Sequence, residues 1–349
     1  MESNSLRRLL LQIAFAMAAF TAWNADAAIA RSVAESRPAL EDASYQQLID
    51  AANAVVGVRV TALPNARSND TLGAERTGSG VLIGNDGLVL TIGYLILEAD
   101  QIEVTDADGA SLPATLVAYD HATGFGLVKP IVRLTQKSIR LGTAIPISQL
   151  DRLMIVTGGA DQTISIATVV SRRQFAGYWE YMIDGAIFTA PPRLDHSGAA
   201  LINKDGELVG IGSLFVMDAL IPGERLPGNM FVPVDLLKPV LDEMVATGAQ
   251  RGSRRPWLGV NSLEEDGRIK VMQVNEESPA QRAGIVAGDI ILSINGEPVE
   301  SLEKFYRSLW TRGPAGVDVV LGVLHGPTMK QVTVRSIDRQ EFMRTKPGI

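Results

Sequence analysis

The 349-residue sequence predicts a mainly β chain: an all-β barrel or sandwich over about residues 77–232, then a compact β-rich α+β domain from Trp257. Three observations predict it. Short β-prone runs such as GVLIG, LVLTI, QIEVT, ATLVAY, LMIVT and ISIATVV recur between Gly and Asp turns, the pattern of many short strands. Two Asp-Gly hairpin signals, LIGNDGLVL at 82–90 and LINKDGELVG at 201–210, stand early and late in this region, as two similar halves require. Beyond an arginine-rich stretch the pattern changes to strands interleaved with two helical segments.

The N-terminus reads as a targeting segment. Arg7 and Arg8 precede the apolar run LLLQIAFAMAAFTAW, and Ala25-Asp26-Ala27 has small-residue cleavage spacing. Residues 1–27 are expected to be a cleaved signal peptide that exports the chain to the periplasm; the alternative is an uncleaved N-terminal membrane anchor facing that compartment. A polar segment, 28–50, follows. EDASYQQLIDAANAVV then predicts a short helix entering the strand VVGVRVTAL, and NARSNDTLGAER at 65–76 an exposed loop. In PVDLLKPVLDEMVATG, Leu236, Leu237, Val240, Leu241 and Met244 have helical spacing, Pro239 kinks or shortens the helix, and Gly248 suits its stop. These elements bound a first domain at 51–248, a solvated linker at 249–256 and a second domain at 257–340. In the second, WLGV, RIKVMQV, DIILSINGEPV, VDVVLGVL and KQVTVRSI are strands. SPAQRAG holds a short helix, and SLEKFYRSLW a longer one with Leu302, Phe305, Tyr306 and Leu309 on one face.

Composition narrows the function. With 46% hydrophobic and 20% charged residues the chain has ample core-forming material, and a net charge of −7 offers no basic field for nucleic acid. Cysteine is absent, which removes disulfides and thiolate chemistry. No HExxH or Walker-type loop occurs, and the turns GNDG and NKDG are too short for an EF-hand, so no cofactor and no metal site is predicted.

LDHSGAAL, residues 194–201, places Asp195, His196 and Ser197 side by side. A hydrolytic triad is a spatial arrangement, and neighbours in an extended segment point to opposite sides, so His196 does not serve Ser197. The nucleophile elbow of α/β-hydrolases is missing too, since Asp195 and Ala199 stand at its glycine positions. Any helpers of Ser197 come from elsewhere in the chain.

Over nearly all of the mature chain the sequence resembles the HtrA/DegP (Do-like) family of trypsin-like serine proteases. TGSGVLIGNDGLVLT is similar to its first hairpin, DHATGFGLVKP to the strand carrying its acid, and LDHSGAALINKDGELVGIGS to its nucleophile loop. NMFVPVDLLKPVLDEMVATG is similar to the helix that ends its protease domain, and SPAQRAGIVAGDIILSINGEPVESLEKF to its PDZ signature. The resemblance implies a chymotrypsin/trypsin-like double β-barrel followed by an α+β PDZ domain. It also implies a catalytically degenerate member. Tyr94 stands where the family's Thr-Asn-x-His run carries the general base, and Gly124 where Thr-Asp-Leu-Ala carries the acid; Ser197 keeps the nucleophile position. A tyrosine, with a solution pKa of about 10, is a poor proton acceptor at neutral pH. The family's oxyanion hole uses the N–H groups of the serine and of the glycine two positions before it. Here these are Ser197 and Asp195, whose side chain is expected to disturb the backbone and to oppose a developing negative charge. Of the other two histidines, His325 lies in the PDZ-like region, and His121, three residues before Gly124, is the one from which a rearranged site could be built.

In the family's PDZ domain an x-Leu-Gly-x loop presents backbone N–H groups to a peptide's terminal carboxylate. Trp257-Leu258-Gly259-Val260 matches it, and the peptide would add a strand along 260 onward, against the helix holding Phe305 and Leu309. The protease domain's own substrate strand corresponds to Gly210–Ser213. The implied partners are therefore peptide segments or C-termini of other proteins, with a homo-oligomer (a trimer, in the family) or an active paralogue as assembly partner. Two functions stay open: a peptide-binding protein of envelope quality control with a silent protease domain, or an active serine endopeptidase using Ser197 in a rearranged site.

Overall fold

The computed structural model describes residues 42–248 and 254–345. The signal-peptide reading and most of the predicted linker lie outside them. Helix α1 (Asp42–Asn53) leads into β1 (Val55–Ala62). The stretch read as an exposed loop contains a single turn of helix, α2 (Asn69–Leu72), closed by the Leu72 N–H donating to the Ser68 carbonyl at 2.9 Å.

Strands β2 (Glu75–Ile83) and β3 (Leu88–Ile92) form the first Asp-Gly hairpin, and β3 runs directly into the short helix α3 (Gly93–Ile96). With β4 (Ala99–Thr105), β5 (Ser111–Tyr119) and β6 (Phe125–Pro130) they close a barrel in the order β1-β2-β3-β6-β5-β4. Fully buried Val56, Leu90, Val104 and Leu127 contribute to its core. A closed barrel leaves no strand edge exposed, which suits strands this short.

The second half repeats the plan with β7 (Arg140–Leu141), β8 (Arg152–Val156), β9 (Ile164–Gly177), β10 (Tyr181–Ala190), β11 (Ala200–Ile202), β12 (Glu207–Val216) and β13 (Gly228–Pro233). Their order is β11-β8-β9-β10-β13-β12, closed by β11 on β12, with β7 added parallel to β12. Ile155, Val169, Ile187, Leu201, Val209 and Phe231 fill this core. The fold is thus a double β-barrel. Strand β9 continues seven residues past the ISIATVV run, through SRRQFAG. Its arginines are accommodated because Arg172 donates to the Ala144 carbonyl at 2.5 Å, while Arg173 donates to the Asp218 carbonyl and lies over the Phe188 ring. Pro239 divides the terminal helix into a 3₁₀ turn, Val234–Leu236, and α4 (Leu241–Thr247), which ends at left-handed Gly248.

The C-terminal domain begins with β14 (Pro256–Trp257) and contains β15 (Val260–Glu265), β16 (Arg268–Val274), α5 (Pro279–Arg282), β17 (Ile290–Ile294), β18 (Glu297–Pro298), α6 (Leu302–Trp310), β19 (Asp318–His325) and β20 (Thr328–Arg335). It ends with β21 (Ile337–Asp338), paired to β14, and α7 (Arg339–Phe342). Its main sheet runs β15-β16-β17-β19-β20, so β15 is an edge. Among the described residues no helix is long and apolar enough to cross a membrane.

Candidate active site and peptide groove

Ser197 lies in the turn between β10 and β11, and the backbone on both sides of it is stitched to the two barrels. The Ser197 carbonyl accepts from the Ser79 N–H at 2.8 Å, and the Gly198 N–H donates to the Gly212 carbonyl at 2.9 Å. Gly198 is left-handed (φ 74°), and a Cβ there would fall 1.9 Å from the Ser79 carbonyl oxygen, so only glycine fits. Tyr94 approaches from α3. The buried Arg76 guanidinium fixes that turn by donating to the carbonyls of Tyr94 (3.1 Å) and Leu97 (2.6 Å).

The Tyr94 hydroxyl sits 2.7 Å from Ser197 Oγ and 2.8 Å from the Ser213 carbonyl oxygen. A phenol has one proton and a carbonyl can only accept. The proton therefore serves Ser213, and the Ser197 hydroxyl turns its own hydrogen toward the phenol oxygen. Burial pushes the Tyr94 phenol up to about 12, with Ser197 offsetting only part of the shift. At neutral pH it stays protonated and cannot receive the Ser197 proton. The same bond occupies the carbonyl of Ser213, on the strand that the family resemblance assigns to substrate backbone.

Gly124 lies in a tight turn capped by buried Asp120, whose carboxylate accepts from the N–H groups of Ala122 (3.2 Å) and Thr123 (2.9 Å) and from Thr123 Oγ1 (2.6 Å). Gly124 is left-handed (φ 77°), and a Cβ on it would lie 2.7 Å from the Tyr181 hydroxyl. That hydroxyl donates to the Thr123 carbonyl at 2.9 Å. A second phenol thus fills the space a carboxylate would need.

Neither nearby histidine reaches Ser197. His196 turns Nδ1 to the Arg193 carbonyl, 3.1 Å away, and burial lowers its pKa. His121 packs edge-on against Tyr119, ring centroids 4.3 Å apart, with both ring nitrogens lacking a hydrogen-bond partner among the described residues. Burial holds its pKa well below the ordinary histidine range. The disturbance expected of Asp195 takes another form. Its φ is not left-handed, so the backbone is unstrained. Its carboxylate is gripped by the Arg193 guanidinium (Nε to Oδ1, 2.9 Å) and accepts from Thr163 Oγ1 at 3.3 Å. Partial burial alone would raise its pKa, but Arg193, its own backbone N–H and Thr163 together outweigh it and the net shift is downward. Among the described residues no cluster of His, Cys, Asp or Glu could hold a metal ion.

The second site is the Leu258–Val260 loop. Its three N–H groups are occupied: the Glu180 carboxylate accepts from Leu258 (2.9 Å), Gly259 (2.7 Å) and Val260 (3.0 Å). Glu180 stands at the tip of the β9–β10 hairpin. Leu258, Val260, Phe305 and Leu309 are buried in one cluster with Met182 of the same hairpin. The five residues named for the groove are thus together, but the hairpin covers them. Sequence reasoning missed Glu180; its one local signal is an acid among aromatics in Tyr178-Trp179-Glu180-Tyr181.

Comparison with known proteins agrees with these two halves. Residues 78–211 match the trypsin-like peptidase domain family, and residues 256–335 the PDZ domain family. The serine endoprotease DegS of Haemophilus influenzae is 30% identical over 259 residues, covering 71% of this chain and 74% of DegS. The chain belongs to the HtrA family. A probable periplasmic serine endoprotease, DegP-like, of Pseudomonas fulva is 27% identical over 65% of this chain. This HtrA chain spans about half the length of such DegP-like relatives, 48% in that case and 55% for one from Halomonas elongata. Among solved structures, a serine endoprotease from Yersinia pestis is 25% identical, covers 84% of this chain and 97% of its own, and superposes with a TM-score of 0.51. The HtrA-type protease AlgW with a decapeptide gives 0.53 at 22% identity, covering 87% of this chain and 99% of its own, a likeness of fold.

Proposed function

We propose that this HtrA-family protein is a periplasmic peptide-binding protein whose protease domain is hydrolytically silent, with a chaperone-like, adapter or regulatory role in protein quality control. The carrying observation is the Tyr94 hydroxyl, 2.7 Å from Ser197 Oγ. A serine nucleophile needs a neighbour that takes its proton, and a buried phenol at this position does not. The left-handed Gly124 with Tyr181 against it removes the orienting acid. Loss of a single triad member lowers turnover by a factor on the order of 10⁴.

Relatives named as periplasmic support the location. A PDZ domain, and an HtrA-type neighbour solved with a decapeptide, support peptides or C-termini as ligands. The proposal includes a working division into a barrel domain at 51–248 and a PDZ domain at 257–340, and assembly as a homo-oligomer or with an active paralogue. Incubating the mature protein with unfolded casein, beside Ser197→Ala, tests the silent site. No cleavage above the variant's is expected; cleavage abolished by Ser197→Ala would establish the endopeptidase reading instead.

A further inference from the structure

The β9–β10 hairpin tip makes three kinds of contact that a bound C-terminal peptide makes. A carboxylate sits in the Leu258–Val260 loop, accepting from all three N–H groups. Two residues before it, the Tyr178 carbonyl accepts from the Ser262 N–H at 2.8 Å, a backbone bond onto edge strand β15. Met182, 8% exposed, packs with Leu258, Val260, Phe305 and Leu309 where an apolar terminal side chain would go. Helix α6 clamps the tip: the Tyr306 hydroxyl donates to the Gly177 carbonyl at 2.7 Å and accepts from the Glu180 N–H at 3.3 Å.

Glu180 has a left-handed backbone (φ 56°), the conformation usual for the last residue of a three-residue hairpin loop. A three-residue turn joining β9 to β10 accounts for the left-handed position but calls for no acid there.

We propose that the segment Gly177–Met182 is an internal ligand of the PDZ groove, with the Glu180 side chain standing in for a terminal carboxylate, so that a partner's C-terminus binds only by displacing it. This rests on the PDZ peptide-binding reading above. The ligand class is a peptide with a free C-terminal carboxylate and an apolar last residue, competing with the hairpin for the same donors and the same apolar pocket.

The test uses the full mature chain, wild type and Glu180→Ala, titrated with fluorescein-labelled decapeptides ending in Val, Leu, Phe or Met and with their amidated forms. Amide hydrogen exchange at Leu258–Val260 is followed in parallel, and Glu180→Gln provides a size-matched second variant. A groove open only in a minor population weakens apparent affinity by that fraction, so Glu180→Ala is expected to bind free-carboxylate peptides about tenfold or more tighter than wild type. Gly259 and Val260 amides, protected in wild type, should exchange faster in the variant, and amidated peptides should bind neither protein. Equal peptide affinity in wild type and both variants would overturn the internal ligand and leave the peptide-binding reading standing. Faster exchange in Glu180→Ala with no peptide binding to any of the proteins would sink peptide binding, and displacement with it, while retaining Glu180 as the occupant.

Discussion

Replacing Tyr94 by phenylalanine removes one oxygen from the cleft and keeps the ring. Two contacts disappear, at 2.7 Å to Ser197 Oγ and 2.8 Å to the Ser213 carbonyl. The Ser213 side matters more, because Ser213 is only 3% exposed and its carbonyl then loses the phenol. Leaving a buried acceptor unpaired costs roughly 1–3 kcal/mol. At roughly 2–4 °C per kcal/mol for a domain of this size, the unfolding midpoint falls several degrees. Ser197→Ala keeps the Tyr94–Ser213 bond and costs no more than about 1 kcal/mol. In the Ser197→Ala background, Tyr94→Phe retains most of its cost. Chemical denaturation of the four proteins of this cycle measures each step. A Tyr94→Phe change within about 0.5 kcal/mol of wild type, or one that raises casein cleavage, would refute the assignment of Tyr94 as a structural plug.

Further outcomes are expected. Tyr94→His restores no measurable casein cleavage, since Gly124 brings no carboxylate; adding Gly124→Asp lowers thermal stability rather than raising activity, because its Cβ would meet the Tyr181 hydroxyl at 2.7 Å in a left-handed backbone. Peptide affinity should rise from about pH 5 to about pH 8: burial pushes Glu180 up from 4.5 to about 7, so its hold is fully present below 4.5 and lost as pH rises through about 7. The groups facing it are the Tyr306 hydroxyl, Arg339, and, around a shared cavity of about 20 Å³, His121 and Arg255. Glutamine does not titrate, so Glu180→Gln should flatten the profile in a fluorescence titration. Glu98→Ala should lower stability by roughly 2–3 kcal/mol in denaturant melts, because it leaves the Ser68 N–H and Oγ, the Arg67 N–H and the Arg344 N–H without their buried acceptor.

The barrels were legible because the signals that build them are local. Asp-Gly turns between apolar runs mark both hairpins, and the α6 residues Leu302, Phe305, Tyr306 and Leu309 face the core as their spacing implies. Pro239 marked where its helix breaks. Strand β9 was cut short because Arg172 and Arg173 look like the end of a strand, and only tertiary carbonyls and the Phe188 ring make room for them. Tyr94 and Gly124 stood out against the family motifs, yet nothing local indicated that Tyr94 would bridge Ser197 to Ser213, or that Tyr181 would fill the acid's place. Asp195 was expected to strain the loop and to oppose a negative charge there; its φ is not left-handed, so it strains nothing, and Arg193, two residues earlier, takes its charge. Glu180 was invisible for the opposite reason to the hairpins. Its partners lie 78 to 80 residues downstream and are backbone amides, which carry no residue-type signature.

Labelling of the wild-type protein by a fluorophosphonate, read by intact mass, tests the proposed silence of the site most directly. Such probes trap a serine only when a neighbouring base activates it. With Tyr94 protonated at Ser197, the protein should show no adduct, the same as Ser197→Ala. A stoichiometric adduct that disappears in Ser197→Ala would contradict it.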